Sequence, residues 1–194
     1  MDTELSIRLL QAYAAGLAAQ SMQHKVQSKV FASQGLVKLA EKYAGHATEE
    51  MGWVDKFIDR IIDLGGAARV EAAPEQTIYD DPVEFIEADL EVSEREVPNL
   101  GKATLAVAED LTTFDLLKGY YQDEEEDMYW MQTQLGLIKV IGKQEWLIRQ
   151  LYVNEKVFDR GAFRAPCFRG GRTGQQRYGK DLRFQGQRQQ RRRS

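Results

Sequence analysis

The sequence predicts an all-α chain: a four-helix bundle with a long crossover between the second and third helices and a short fifth helix. Three observations carry this. Apolar residues recur at three- and four-residue steps over long stretches, which is the spacing of one helical face. No stretch alternates apolar and polar residues with the period of a strand. One turn-rich gap, residues 67–82, carries Pro74 and Pro82 and is longer than an ordinary connection, so it divides two helical stretches from those that follow.

The first helix is expected from Glu4 to about Lys29, where Ile7, Leu10, Ala14, Leu17 and Ala18 form the stripe. The second runs from about Gln34 to Leu64, with Met51, Val54, Phe57, Ile58, Ile61 and Ile62 on one face and Gly65-Gly66 as its stop. Asp81-Pro82 reads as an N-cap followed by proline at the first helical position, opening a third helix through Phe85, Ile86, Leu90 and Val97. Pro98 removes an amide donor and is expected to kink that helix. The stripe resumes at Leu100, Ala103, Val107, Leu111 and Phe114, and a fourth helix carries Met128, Met131, Leu135 and Ile138. Gln144 to Val153, with Trp146, Leu147 and Leu151, makes the fifth.

A chain of 194 residues, 43% hydrophobic and 29% charged, has the length and balance of one globular domain. The net charge of −4 hides a division: residues 1–159 hold 15 Lys+Arg against 29 Asp+Glu, whereas residues 160–194 hold 11 against the single Asp181. We therefore expect a folded bundle over 1–158 and a basic Arg/Gln/Gly-rich tail over 159–194. The tail has no long apolar stripe to offset its ordering entropy, so disorder is the expectation there. Tyr13 to Ala19 is far too short to cross a bilayer, and the first residues carry acids in place of a basic leader. A cytoplasmic protein without a membrane partner is expected. Cys167 is alone and the histidines are only His24 and His46, so metal chemistry would have to lean on carboxylates. No nucleophile elbow, phosphate-binding glycine loop or Cys-x-x-Cys occurs.

Glu49-Glu50-Met51-Gly52-Trp53-Val54-Asp55-Lys56-Phe57-Ile58-Asp59-Arg60, continuing to Gly66, resembles the second helix of bacterioferritins. Asp123-Glu124-Glu125-Glu126-Asp127-Met128-Tyr129-Trp130-Met131, continuing to Leu137-Ile138, is similar to their fourth, and Asp89-Leu90 with Asn99-Leu100 to their third. The resemblance covers residues 5 to 155 and implies a ferritin-like, iron-storing shell built by self-association. In carboxylate-bridged bundles of this kind, two helices each supply a glutamate and two each supply Glu-x-x-His, because positions i and i+3 share a face.

Carried over position by position, the resemblance gives Glu50, Glu124 and Asp127 as metal residues. Glu50 matches the first bridging glutamate, with Trp53 where the family has histidine; Glu124 matches the second, with Asp127 in place of its histidine. Leu17 falls on one lone-glutamate position and Ser93 on the other, with Glu91 and Glu94 as alternatives if the register slips. The implied iron oxidation is impaired or absent, and the remaining carboxyls are expected to be poorly compensated and raised in pKa. Met51 matches the methionine that ligates haem at a twofold interface, so haem is the implied second cofactor.

Each of these residues also has a plainer reading. Glu50, Glu124 and Asp127 belong to acidic runs that would serve as a solvated face, Met51 suits interface packing, and Trp53 suits the core. His24 shares the face of Leu17, as a buried hydrogen-bonded histidine or a substitute ligand; His46 precedes Glu50 by one turn and is expected to pair with it. Partners left open are a catalytic ferritin subunit in a mixed shell and, through the basic tail, nucleic acid, the second reading being a DNA-protecting shell protein.

Overall fold

The computed structural model describes residues 2–151. The tail over 159–194, its expected disorder and the boundary at 158 lie outside the described residues. Five helices follow in order: α1 Thr3–Ser33, α2 Val37–Asp63, α3 Pro82–Ala106, α4 Leu111–Ile141 and α5 Lys143–Gln150. The expected all-α bundle and its short fifth helix are what the structure shows.

Local signals set most of the ends. Asp2 caps α1 by accepting from the Leu5 amide at 2.9 Å. The turn into α2 passes through Gly35 at φ +79°, a conformation that a Cβ disfavours. At the end of α2, Gly65 at φ +77° is followed by Gly66, whose amide bonds to the Ile61 carbonyl at 2.9 Å. A Cβ on Gly66 would sit 3.0 Å from side-chain atoms of both Ile61 and Ile7, so any larger residue there would have to push them aside. Asp81 accepts from the Val83 amide at 2.9 Å ahead of Pro82, as the sequence predicts.

Two boundaries differ from expectation. Helix α3 continues across Pro98 to Ala106, and the stripe that ran on through Leu111 and Phe114 is split by a turn. Asp110 opens α4 there, accepting from the Thr113 amide at 3.3 Å and the Thr113 hydroxyl at 2.6 Å. Three-to-four spacing continues across so short a turn, so periodicity alone merges the two helices. The Val153 end expected for the fifth helix lies outside the described residues, and the helix begins at Lys143.

Helix α1 packs along α2 and α3 along α4, and the apolar side chains gather into two clusters. One holds Leu10, Leu17, Val54, Phe57, Ile61, Leu100, Leu117 and Tyr120; the other holds Phe31, Leu39, Tyr43, Phe85, Ile86, Met131 and Trp146. Each full burial of such a side chain contributes about 1.5–3 kcal/mol. Met51 and Ile62, expected on the apolar face of α2, are instead 39% and 59% exposed.

The crossover, residues 64–81, is tied to α1 by glutamine side chains that read its backbone. Gln11 pairs with Arg69 through both amide groups, accepting from its N–H at 2.9 Å and donating to its carbonyl at 2.8 Å. Gln27 does the same with Tyr79, at 3.0 and 2.7 Å. Gln23 donates to the Thr77 carbonyl at 2.8 Å and Gln34 to that of Asp80 at 2.7 Å. These bonds satisfy main-chain groups that helices and strands would otherwise satisfy.

Candidate functional site

Between the two apolar clusters every long helix turns polar on its inner face. On α1 the layer is Ser21 and His24; on α2, His46 and Glu50; on α3, Asp89 and Ser93; all are buried. On α4, Glu124 and Asp127 sit between Tyr120 and Met131 and are partly buried. The same periodicity that lays down the apolar stripe thus aims four helices' worth of ionisable groups at one level of the bundle.

His24 stands at the middle. Its Nδ1 lies 2.9 Å from Glu50 Oε1 on α2 and its Nε2 lies 3.2 Å from Asp89 Oδ1 on α3. Burial works against a charged ring, but the bonds and charges of Asp89 and Glu50 outweigh it and lift the His24 pKa to about 10. Across the layer, Asp127 Oδ1 lies 3.1 Å from Lys42 Nζ and 3.2 Å from His46 Nε2. Burial, helped by the charges of Lys42 and His24, drops His46 to about 3 and leaves that ring neutral at pH 7. Glu124 is pushed up to about 8 by burial and then by the charge of Glu50. Burial also raises Glu50 and Asp127, against the pull of His24 and Lys42 respectively. The expected rise of the three carboxyls is present, but Glu50 and Asp127 are far better compensated than expected, because His24 and Lys42 supply cations.

Glu124 also lines a cavity of about 720 Å³ between α1 and α3, together with Leu17, Ser93, Asp89 and Tyr120. Ser93 is buried whereas Glu91 and Glu94 are exposed, which fixes the register of α3 that the sequence left open.

Residues 7–141 match the family model described as a ferritin-like domain. The chain belongs to the ferritin-like family. It is 34% identical over 138 residues to the bacterial ferritin of Neisseria meningitidis serogroup B, covering 70% of this chain and 88% of that protein. It is 32% identical over 142 residues to the bacterial ferritin of Pseudomonas aeruginosa, with the same shares covered. To the bacterioferritin of Rhodobacter capsulatus it is 29% identical over 124 residues, 63% of this chain and 77% of that one. The bundle is therefore that of an iron-storage family.

In this ferritin-like chain Trp53 is not simply core. It is half-buried, stacks on Phe57, and donates its indole N–H to Asp123 Oδ2 at 2.7 Å, while Lys56 Nζ lies 3.6 Å from its ring centroid. Its ring lies over Gly119, where a Cβ would sit 3.2 Å from Trp53 Cη2. The glycine on α4 is what lets an indole occupy this place. Leu17 is 3% exposed and belongs to the first apolar cluster.

His46 does not meet Glu50 as expected: its Nε2 faces Asp127 Oδ1 at 3.2 Å without a hydrogen bond, and Glu50 is instead approached by His24, whose ring centroid lies 5.8 Å from that of His46. Asp89 is the functional-layer residue that sequence reasoning missed: it served only to set the register of α3. Its burial could have been inferred from its place three residues after Ile86 and four before Ser93 on one face. Among the described residues, no group of three or more His, Cys, Asp or Glu side chains is arranged to hold a metal ion, and no helix is long and apolar enough to cross a membrane.

Proposed function

We propose that this chain is a bacterioferritin-like subunit of a self-associating cytoplasmic iron-storage shell, contributing wall and haem while leaving iron oxidation to another subunit type. The observation that carries the reading is the replacement chemistry in the polar layer. A pair of irons needs anionic or imidazole donors from all four helices, and the residues present do not fit it: Leu17, Trp53 and Ser93 stand at three of the positions. The carboxylates Glu50 and Asp127 are engaged by His24 and Lys42. Glu50, Glu124 and Asp127 are the remnant of the iron-binding set, too committed to their neighbours to bind iron tightly.

Met51 supports the haem part. It follows Glu50 directly, and with Glu50 turned inward its side chain is turned onto the outer flank of α2, 39% exposed. A thioether there is available to a second copy across a twofold axis, and a haem held between the two sulfurs would carry electrons through the wall.

The test is aerobic ferrous oxidation by the assembled full-length protein, alone and co-assembled with a catalytic ferritin subunit. Alone it should oxidise iron no faster than buffer, and the mixed shell should retain the mineral. Rapid, saturable oxidation by the chain alone would overturn the reading. The tail keeps a second reading in view, because residues 160–194 carry 11 basic residues against one acid. A DNA-protecting shell would bind duplex DNA with a steep salt dependence that disappears when 160–194 are removed.

A further inference from the structure

Helices α1 and α3 face one another without packing closely, and the gap between them is the cavity of about 720 Å³. Small residues keep it open. Ala12 and Gly16 line it from α1 and Ala88 from α3, and a Cβ on Gly16 would meet nothing within 4 Å. Its deep wall is apolar and aromatic: Leu17, Phe85, Leu100 and Tyr120 line it and are at most 6% exposed. Ser93 stands among them, 4% exposed, and its hydroxyl has no hydrogen-bond partner among the described residues. Only something that enters the cavity can satisfy it.

The mouth has a definite sign. Glu75 of the crossover and Glu91 and Glu96 of α3 line it and are exposed, against Arg95 alone, which is already paired with Glu96 at 2.7 Å. Glu75 and Glu91 meet no cation among the described residues. These acids are spread along the gap. Burial and then the charge of Glu96 raise the Tyr13 pKa, which puts that carboxylate at the Tyr13 end. Glu75 is at the other end, two residues before Thr77, whose carbonyl accepts from Gln23 at 2.8 Å. Tyr13 and Gln23 are separated by roughly 15 Å of helix rise along α1. A bare metal ion would use neither that length nor the aromatic wall, and a fatty acid would bring its carboxylate to a rim of carboxylates.

We infer that the gap between α1 and α3 is a binding site for a linear polyamine, with its ammonium groups held by Glu75, Glu91, Glu96 and the Ser93 hydroxyl and its methylene spacers by Leu17 and Leu100. Ammonium groups are drawn to the carboxylates of the rim and to the faces of the aromatic rings, and the aliphatic stretches between them gain from leaving water. The Ser93 oxygen accepts from an ammonium N–H and so acquires the partner that the chain does not supply. The site is independent of the iron-storage reading, since none of its contacts is a carboxylate assigned to metal.

The test is equilibrium dialysis of labelled spermidine against the assembled, chelator-treated full-length protein at physiological ionic strength. A single saturable site per chain is expected. Gly16→Leu, which sends a side chain into open space, should weaken binding about tenfold or more while leaving helical circular dichroism and particle size unchanged. Ser93→Ala should weaken it about fivefold, the loss of one hydrogen bond. Glu75→Gln combined with Glu91→Gln should weaken it and flatten its dependence on salt. Magnesium at equal charge should compete poorly, because it has the charge without the chain, and hexanoate, which has the chain with the opposite charge, should not compete. The inference is overturned by the absence of a saturable site, by a site that Gly16→Leu leaves intact, or by one that magnesium empties at equal charge. Should Gly16→Leu disturb the particle, Ser93→Ala decides, and an unchanged affinity in that variant overturns the site.

Discussion

Glu124 holds a proton in the native chain that the unfolded chain gives up. Its pKa of about 8 lies above the ordinary 4.5, raised by burial and the charge of Glu50, so across that window the unfolded state binds fewer protons than the native one. Stability is therefore greatest below the lower value and falls as pH rises toward the upper, by a loss of the order of 2 kcal/mol for a group open to a cavity. Glu124→Gln should flatten that decline in a pH series of urea unfolding, and the slope that remains belongs to Glu50 and Asp127, whose raised pKa values act in the same direction. Trp53 and Gly119 make a second case. Gly119→Ala gains helix propensity of about 1 kcal/mol but presses its Cβ against the indole. In a double-mutant cycle it should be more favourable by about 1 kcal/mol with Trp53→His than with Trp53 in place, and simple additivity would refute the coupling. The sequence made Glu50, Glu124 and Asp127 visible through the resemblance of their two helices to those of bacterioferritins. It could not show that His24 meets Asp89, because those residues are 65 positions apart and their meeting depends on how far the helices slide past one another.

At the scale of elements, the corner between α3 and α4 carries more than its short length suggests. Asp110 caps α4, accepts from the Ser6 hydroxyl of α1 at 3.0 Å and pairs with Arg60 of α2 at 2.6 Å. Burial opposes its charge, but Thr113, Ser6 and Arg60 prevail and hold its carboxyl below the usual range. That stability is present above the unfolded value and is lost as pH falls through the native one. Asp110→Ala should cost about 3 kcal/mol in denaturant unfolding at neutral pH, since Arg60 is left without its carboxylate. The cap was readable beforehand, as aspartate three residues ahead of threonine, but the uninterrupted stripe through Val107 and Leu111 obscured it. Asp81-Pro82 was read correctly because proline breaks the pattern in the same place as the cap. The glutamine clamp on the crossover left no trace in hydropathy at all. Gln27→Ala removes two bonds to Tyr79, should cost about 1–2 kcal/mol, and should speed amide exchange at Tyr79 well before the helices open.

For the whole molecule, the expectation is assembly. Met22 and Val26 of α1 and Met51 and Ile62 of α2 are large apolar side chains with 39–59% exposure, and an assembled wall would cover such a flank. Light scattering at micromolar concentration should show a multi-subunit particle, and a 22.2 kDa monomer would count against it. The haem-supplemented particle should show a low-spin spectrum at about one haem per two chains. Met51→Leu, nearly equal in volume, should abolish that spectrum and leave assembly intact. The crossover meanwhile has a bearing on how such a chain diversifies. Gln11, Gln23, Gln27 and Gln34 grip only main-chain groups at Arg69, Thr77, Tyr79 and Asp80, and the residues from 70 to 74 are all exposed. The clamp thus fixes the path of the segment while remaining indifferent to its spelling. Lineages can rewrite those residues, and engineers can graft a peptide there, without disturbing the helices on either side.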